Sequence, residues 1–325
     1  MGTFFSRAGA RLKGRLWIHA ALLVATLGTT FITYFVVFAD GTSPTRAAHS
    51  LIFSVALVLI LGAHEMGHYT LARIHKVDAS LPYFIPLPFV GVGTLGAVIR
   101  IRSPMPNRNA LVDIGSAGPL AGIAVAIPIL FAGFALSTLG PSMVYSSHFP
   151  RDGSLWALGE KLWHYLANSP EAVGTATQSA SLKMSWIFGD NLMMTIVQRL
   201  VWGKLPLGQD VYAHPLVIAG WFGILVTLLN LMPIGQLDGG HLTFALFGKH
   251  AQTFGRVIAA MLLNLCLFFS AGWLFWLIVS TQVIGFRHPP VTVPDVPLTR
   301  SRKWICALCG LVFVLCVMPV PLRQQ

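Results

Sequence analysis

The chain reads as an all-α polytopic membrane protein, with about six to seven membrane-spanning helices and a re-entrant irregular or β segment between the second and third. Three observations predict this. Of its 325 residues 55% are hydrophobic and 10% charged, with a mean hydropathy of +0.70, a balance that a water-soluble domain of this length does not show. Crossing the hydrocarbon core takes about 20 apolar residues in a helix, and residues 16–39, 51–74, 111–139, 211–233, 256–284 and 303–319 supply such stretches. Lys and Arg gather in short connections at the ends of these stretches.

The first stretch is too long for a signal-peptide core and lacks a clear cleavage site, so it is expected to be a retained anchor. Arg7, Arg11, Lys13 and Arg15 precede it, whereas residues 40–50 carry only Arg46. The N-terminal segment 1–15 therefore faces the cytosol. The second stretch then runs inward, and Arg73, Lys76, Arg100, Arg102 and Arg108 collect on the same side.

Residues 81–99 are apolar but interrupted by Pro82, Pro86, Pro88, Gly91, Gly93 and Gly96. Irregular backbone persists at membrane depth only where it is buried in protein or lines a watery cavity, so this segment is expected to re-enter. Its 90–101 part alternates small and β-branched residues and offers an extended edge for another strand, a plain buried loop being the alternative. In the third stretch, Gly115, Gly118 and Gly122 suit close helix packing.

Residues 140–210 form the one sizeable extramembrane or interfacial connection, with Trp156, Trp163, Trp186 and Trp202, and 186–201 suits a helix lying on the interface. Residues 256–284 are long for one span, and Ala271-Gly272 favours a hairpin that keeps Arg287, Arg300, Arg302 and Lys303 inside. Pro289, Pro290, Pro294 and Pro297 mark a linker at 286–302, followed by a C-terminal transmembrane helix and tail at 303–325. Residues 16–285 form one membrane-embedded core.

The chemistry concentrates in His64-Glu65-Met66-Gly67-His68, which directly follows apolar residues 51–62. Two histidines four apart on a helix share a face, so both imidazoles reach one Zn²⁺ while Glu65 meets a water on that metal. Ionisable groups at membrane depth are costly and are kept for function. A third ligand must come from few acids. There are three glutamates, and Glu160 and Glu171 lie in the polar connection.

Of the eight aspartates, Asp113 and Asp238 adjoin apolar segments with special local chemistry. Asp238 is preferred, because Pro233 and Gly239-Gly240 break a helix and let its carboxylate point into a cavity. Three protein ligands and one open position make a catalytic zinc site. A pair of core histidines and a helix-end aspartate are the plainer alternatives. His241 adjoins Asp238 as an outer partner, and His19, His75, His214 and His288 read as interfacial or loop residues. Cys306 and Cys309 lie with Cys316 in an apolar span and read as packing, with no disulfide framework. The net charge of +11 is accounted for by membrane flanks, which leaves no basic stripe for nucleic acid.

Three motifs in order resemble those of the site-2 proteases, zinc metalloproteases that cut within or near membrane-spanning helices. They are His64-Glu65-Met66-Gly67-His68, the glycine-rich 113–122 run, and Asn230 to Gly240 with Leu237-Asp238-Gly239. Gly93-Thr94-Leu95-Gly96-Ala97, Arg100 and Arg108 look most like the branch that includes plant chloroplast homologues and bacterial relatives. The resemblance spans residues 51–249. It implies His64, His68 and Asp238 as ligands of one zinc per chain, Glu65 as catalytic acid/base, and Asn230 as a residue that positions substrate or stabilises the oxyanion.

The implied partners are the lipid bilayer and a single-span membrane-protein substrate. The implied location is a bacterial inner membrane, with the N-terminus and active site toward the cytosol. Nothing in the chain sets an oligomeric state. Two departures stand out: His241 replaces the arginine of the plant relatives, and no PDZ module is inserted. The competing function is a cation transporter with the same His/Glu/Asp cluster as its transit site. An inactive scaffold is disfavoured by the presence of every expected ligand and the base.

Overall fold

The computed structural model describes residues 16–39, 43–89, 91–141, 154–156, 186–319 and 322–324. The predicted cytosolic segment 1–15, Glu160, Glu171, Trp163 and most of the 140–210 connection lie outside them. The described chain is mostly helical. Leu16–Phe38, Arg46–Ile74, Arg108–Leu136 and Asp238–Phe268 are each long and apolar enough to cross a membrane, which makes this a polytopic integral membrane protein.

Helix α1 (Leu16–Thr33) ends in a π-turn at Tyr34–Phe38. Such a turn displaces carbonyls from the regular ladder, and the Arg46 guanidinium, 3.8 Å over the Phe35 ring, donates to the Phe35 carbonyl through Nε at 2.7 Å. Arg46 opens α2 (Arg46–Ile74). Thr26, Thr30 and Thr33 are buried on α1. The Thr30 and Ser54 hydroxyls meet at 2.6 Å, and Ser54 also donates to the Leu27 carbonyl. These polar contacts bind two apolar helices where lipid supplies no hydrophobic driving force.

Between α2 and the next helix, β1 (Tyr83–Pro86) and β2 (Thr94–Val98) form an antiparallel hairpin with Tyr83 opposite Val98 and Pro86 opposite Thr94. It is seated on α1. Thr29 donates to the Gly93 carbonyl at 2.7 Å, Thr33 accepts from the Phe89 N–H, and His19 bonds the Pro82 carbonyl and lies tilted against the Tyr83 ring. The segment expected to be irregular or extended is thus a β-hairpin.

Helix α3 (Arg108–Leu136) starts where the Asn107 side chain accepts from the Ala110 N–H. It leads into β3 (Thr138–Pro141). After β4 (Trp186–Phe188), α4 (Leu192–Trp202) is capped by Asn191, and β5 (Gln209–Tyr212) pairs with β3. Helix α5 (Pro215–Asn230) has proline at its first turn and stops short of the expected 233. The core lies where α2, α3 and α5 meet, with Phe53, Leu57, Ile60, Leu111, Leu130, Trp221 and Ile224 buried.

Residues 231–237 are irregular, and α6 (Asp238–Phe247) follows, joined through Gly248–His250 to α7 (Ala251–Phe268). The stretch expected to span 256–284 is broken after Phe268, where the Ser270 N–H returns to the Leu265 carbonyl, and α8 (Trp273–Ile278) restarts beyond Gly272. The interruption falls beside Ala271-Gly272, as a hairpin requires. Helix α9 (Arg300–Cys316) precedes β6 (Leu322–Gln324), which pairs with β4.

Candidate metal centre

Helical periodicity stacks His64 and His68 on one face of α2, both buried, and α6 brings Asp238 to them. Leu237 is extended (φ −65°, ψ 162°), so Asp238 is the first helical residue and its carboxylate leaves the helix start toward α2. The glycines that follow do not break the helix, as the sequence suggested; they begin it. A Cβ on Gly239 would collide with the Leu231 carbonyl and one on Gly240 with the Gly235 carbonyl, so only glycines let this turn fold tightly under the 231–237 loop.

The three donor atoms form a nearly equilateral triangle. His64 Nε2 and His68 Nε2 are each 3.3 Å from Asp238 Oδ2 and 3.2 Å from one another. Tetrahedral zinc with bonds of about 2.0–2.1 Å separates its ligands by 1.63 bond lengths, about 3.3 Å. The triangle therefore fits three corners of such a site. His68 Nδ1 donates to the Ile114 carbonyl at 2.7 Å, which fixes the tautomer and leaves Nε2 with the lone pair a metal needs. Among the described residues, this is the one His/Cys/Asp/Glu group so spaced.

Glu65 is buried beside the triangle and faces the backbone of Ile99, just past β2. Asn230, the last residue of α5, turns its amide nitrogen toward His64 Nε2, 3.1 Å away. All five residues singled out in the sequence are thus brought together. Asp113 is not among them. Its carboxylate takes a two-pronged bond from Arg302, Nε at 2.8 Å and Nη2 at 2.5 Å, and a third from His75 Nε2 at 2.8 Å, tying the ends of α2, α3 and α9.

The glycine-rich face of α3 lies directly against the histidines. A Cβ on Gly118 would collide with the His68 ring, and Gly122 lies opposite His64. Sequence reasoning assigned these glycines to helix packing without naming what they pack on. It also missed the Ile114 carbonyl, since a backbone acceptor leaves no mark in residue types. His241 lies across from Gly115 and bonds His288, Nδ1 to Nε2 at 2.6 Å. All four cysteines are free and buried.

Residues 52–271, about two thirds of the chain, match Peptidase family M50. The chain belongs to this family. The M50 chain is 30% identical over 273 residues to the probable zinc metalloprotease EGY1, chloroplastic, of Arabidopsis thaliana, covering 84% of this chain and 42% of that protein. It is 26% identical over 246 residues to the probable zinc metalloprotease EGY2, chloroplastic, of the same plant, covering 74% and 37%. With the EGY1 counterpart of Oryza sativa subsp. japonica it shares 31% over 189 residues, covering 58% and 26%. It spans less than half the length of these relatives. No solved structure matches it. The resemblance to plant chloroplast homologues drawn from the motifs is borne out by these relatives.

Proposed function

We propose that this chain is an intramembrane zinc metalloprotease that hydrolyses a peptide bond in or near the transmembrane helix of a single-span membrane protein, as a step of regulated intramembrane proteolysis. The observation that carries the reading is the His64, His68, Asp238 triangle, whose edges suit one zinc per chain, set beside Glu65 in a chain of Peptidase family M50.

His64, His68 and Asp238 would hold the ion, which when bound polarises the scissile carbonyl and acidifies a water. Glu65 takes the proton of that water and delivers it to the leaving amine. Asn230 offers an amide N–H on the same side as His64, suited to the oxyanion or to the substrate backbone. The edge of β2 away from β1, which no strand covers among the described residues and where Leu95 and Val98 are exposed, suits pairing with an unwound substrate strand, because β2 runs into the backbone that Glu65 faces.

In this reading α1 to α9 supply six to seven spans, the hairpin re-enters the membrane, and residues 16–285 form the catalytic core ahead of the 286–302 segment and the 303–325 helix and tail. Arg73, Lys76, Arg100, Arg102 and Arg108 cluster where α2 ends and α3 begins, which favours a cytosolic site, in a bacterial inner membrane, with the N-terminus on the same side. A cation transporter is not favoured, because the family match is to peptidases.

The deciding experiment compares the wild type with Glu65→Gln on a single-span substrate in proteoliposomes. The variant is expected to keep its zinc and lose cleavage by at least about 100-fold. Undiminished cleavage, or zinc lost with the base, refutes the assignment.

A further inference from the structure

We propose that residues 285–299 are a strap that lifts from α3 and α6 to let water, and with it exchanging zinc, reach the metal centre. This rests on the zinc-protease reading above. His64, Glu65 and His68 are buried at 3%, 7% and 7% exposure, yet each hydrolysed bond consumes one water and leaves a carboxylate and an amine that must depart. Asp238 is the most open of the three ligands, its side chain 14% exposed, so the larger peptide products depart only if an element beside the site moves.

The elements that carry the triangle cannot move apart without breaking it, since α2 and α6 supply the donors and α3 holds His68 through Ile114. The β1–β2 hairpin is keyed into α1 by Thr29 and Thr33. The strap is attached differently. Apart from a half-buried His288 contact on α6, its bonds are polar, lie at the surface and run to α3 and the residues before it. The Thr292 and Val293 N–H groups donate to the Met105 and Pro106 carbonyls at 2.9 and 2.8 Å. Asn109 donates to the Pro297 carbonyl and accepts from the Thr299 N–H, both at 3.1 Å.

Residues 292–295 are exposed; Val291 is buried, and Phe286 and Leu298 near the two ends pack half-buried against the core. Segments held by exposed hydrogen bonds and little buried apolar surface open at the lowest cost. The ends suit pivots. Gly285, in the left-handed region at φ +71°, packs on Gly235, and Arg302 is clamped to Asp113. Pro289, Pro290, Pro294 and Pro297 stiffen what lies between.

Where the strap meets α6 it lies nearest the ligands. His288 Nδ1 donates to the Pro289 carbonyl, so its Nε2 accepts from His241 Nδ1, and its ring stacks on Phe244. His241 is one turn beyond Asp238 on α6. Lifting the strap breaks this contact and frees the face of α6 one turn beyond Asp238.

The test is a reversible lock. Asn107 and Val293 form a parallel β-bridge, a spacing a disulfide can span, and the native cysteines are buried and do not compete. In the full-length variant N107C/V293C, zinc loss to a water-soluble chelator and cleavage of a single-span substrate are compared oxidised and reduced. Loss of the Asn107 cap affects both forms equally. Oxidation is expected to slow zinc loss and cleavage by about tenfold or more, with reductant restoring both, and N109A, which removes two strap bonds, is expected to release zinc several-fold faster than wild type.

Equal zinc loss in the oxidised and reduced forms, or an unchanged rate in N109A, overturns the strap. A redox-dependent zinc loss in a protein that cleaves in neither form supports the strap and refutes the protease reading. Equal zinc loss alongside equal cleavage does the reverse.

Discussion

His68 and Asp238, far apart in the chain, place Nε2 and Oδ2 3.3 Å apart, while the other ring nitrogen of His68 is held by the Ile114 carbonyl at 2.7 Å. A buried imidazole oriented from behind by a carbonyl and faced by a carboxylate is a prepared metal ligand. The backbone of α3 does the orienting, so the closeness of α3 to α2 is as much a part of the site as the donors.

That closeness gives a sharp contrast between two glycines. In Gly118→Ala the new methyl collides with the His68 ring, so zinc affinity and cleavage are expected to fall by about 100-fold or more, beyond the usual cost of losing an outer partner of a ligand. In Gly122→Ala the methyl meets His64 at 3.4 Å, an ordinary contact. Helix propensity favours alanine by up to about 1 kcal/mol, so this variant is expected to bind zinc and cleave like the wild type. Zinc titration of both variants with a competing chelator checks the pair.

Gly93 tests the hairpin separately from the metal. Its φ of +87° and its contact with the Thr29 carbonyl leave no room for a side chain. Gly93→Ala should push the hairpin off α1 and reduce cleavage by about tenfold or more while leaving zinc content unchanged, because no ligand lies on the hairpin. Parallel zinc and cleavage assays on one preparation read both.

The Asp113 clamp is structural in this account. Arg302→Ala leaves a largely buried carboxylate with His75 alone and is expected to cost about 1–3 kcal/mol of stability, seen as a lowered thermal midpoint, with zinc per folded chain unchanged. Arg302→Lys should recover little, because an ammonium cannot reproduce the two-pronged geometry.

What the residues revealed and what they hid divide along a physical line. His64, Glu65 and His68 were legible because a four-residue helical spacing is local. Asp238 was legible because acids are rare in an apolar chain and its flanking proline and glycines signal a break, although the break falls at 231–237 and the glycines open α6. The start of α7 at Ala251 and the long apolar run Asp238–Phe268 were not legible, since apolar segments abut with few punctuating residues. The attachments of the proline-rich segment to Asn109 and Met105, and the union of His75, Asp113 and Arg302, depend on chain-distant partners that no local pattern encodes. The roles of Gly115, Gly118 and Gly122 were half legible: their spacing foretold a close approach, but only the fold says that the approach is to His241, His68 and His64 in turn.

The most direct test of the central claim is zinc content, measured by elemental mass spectrometry on purified wild type and Asp238→Ala of equal helical content. The account predicts about one zinc per chain in the wild type, the complement of a three-ligand site, and almost none in the variant. A variant that retains full zinc, or a zinc-free wild type that still cleaves, contradicts it.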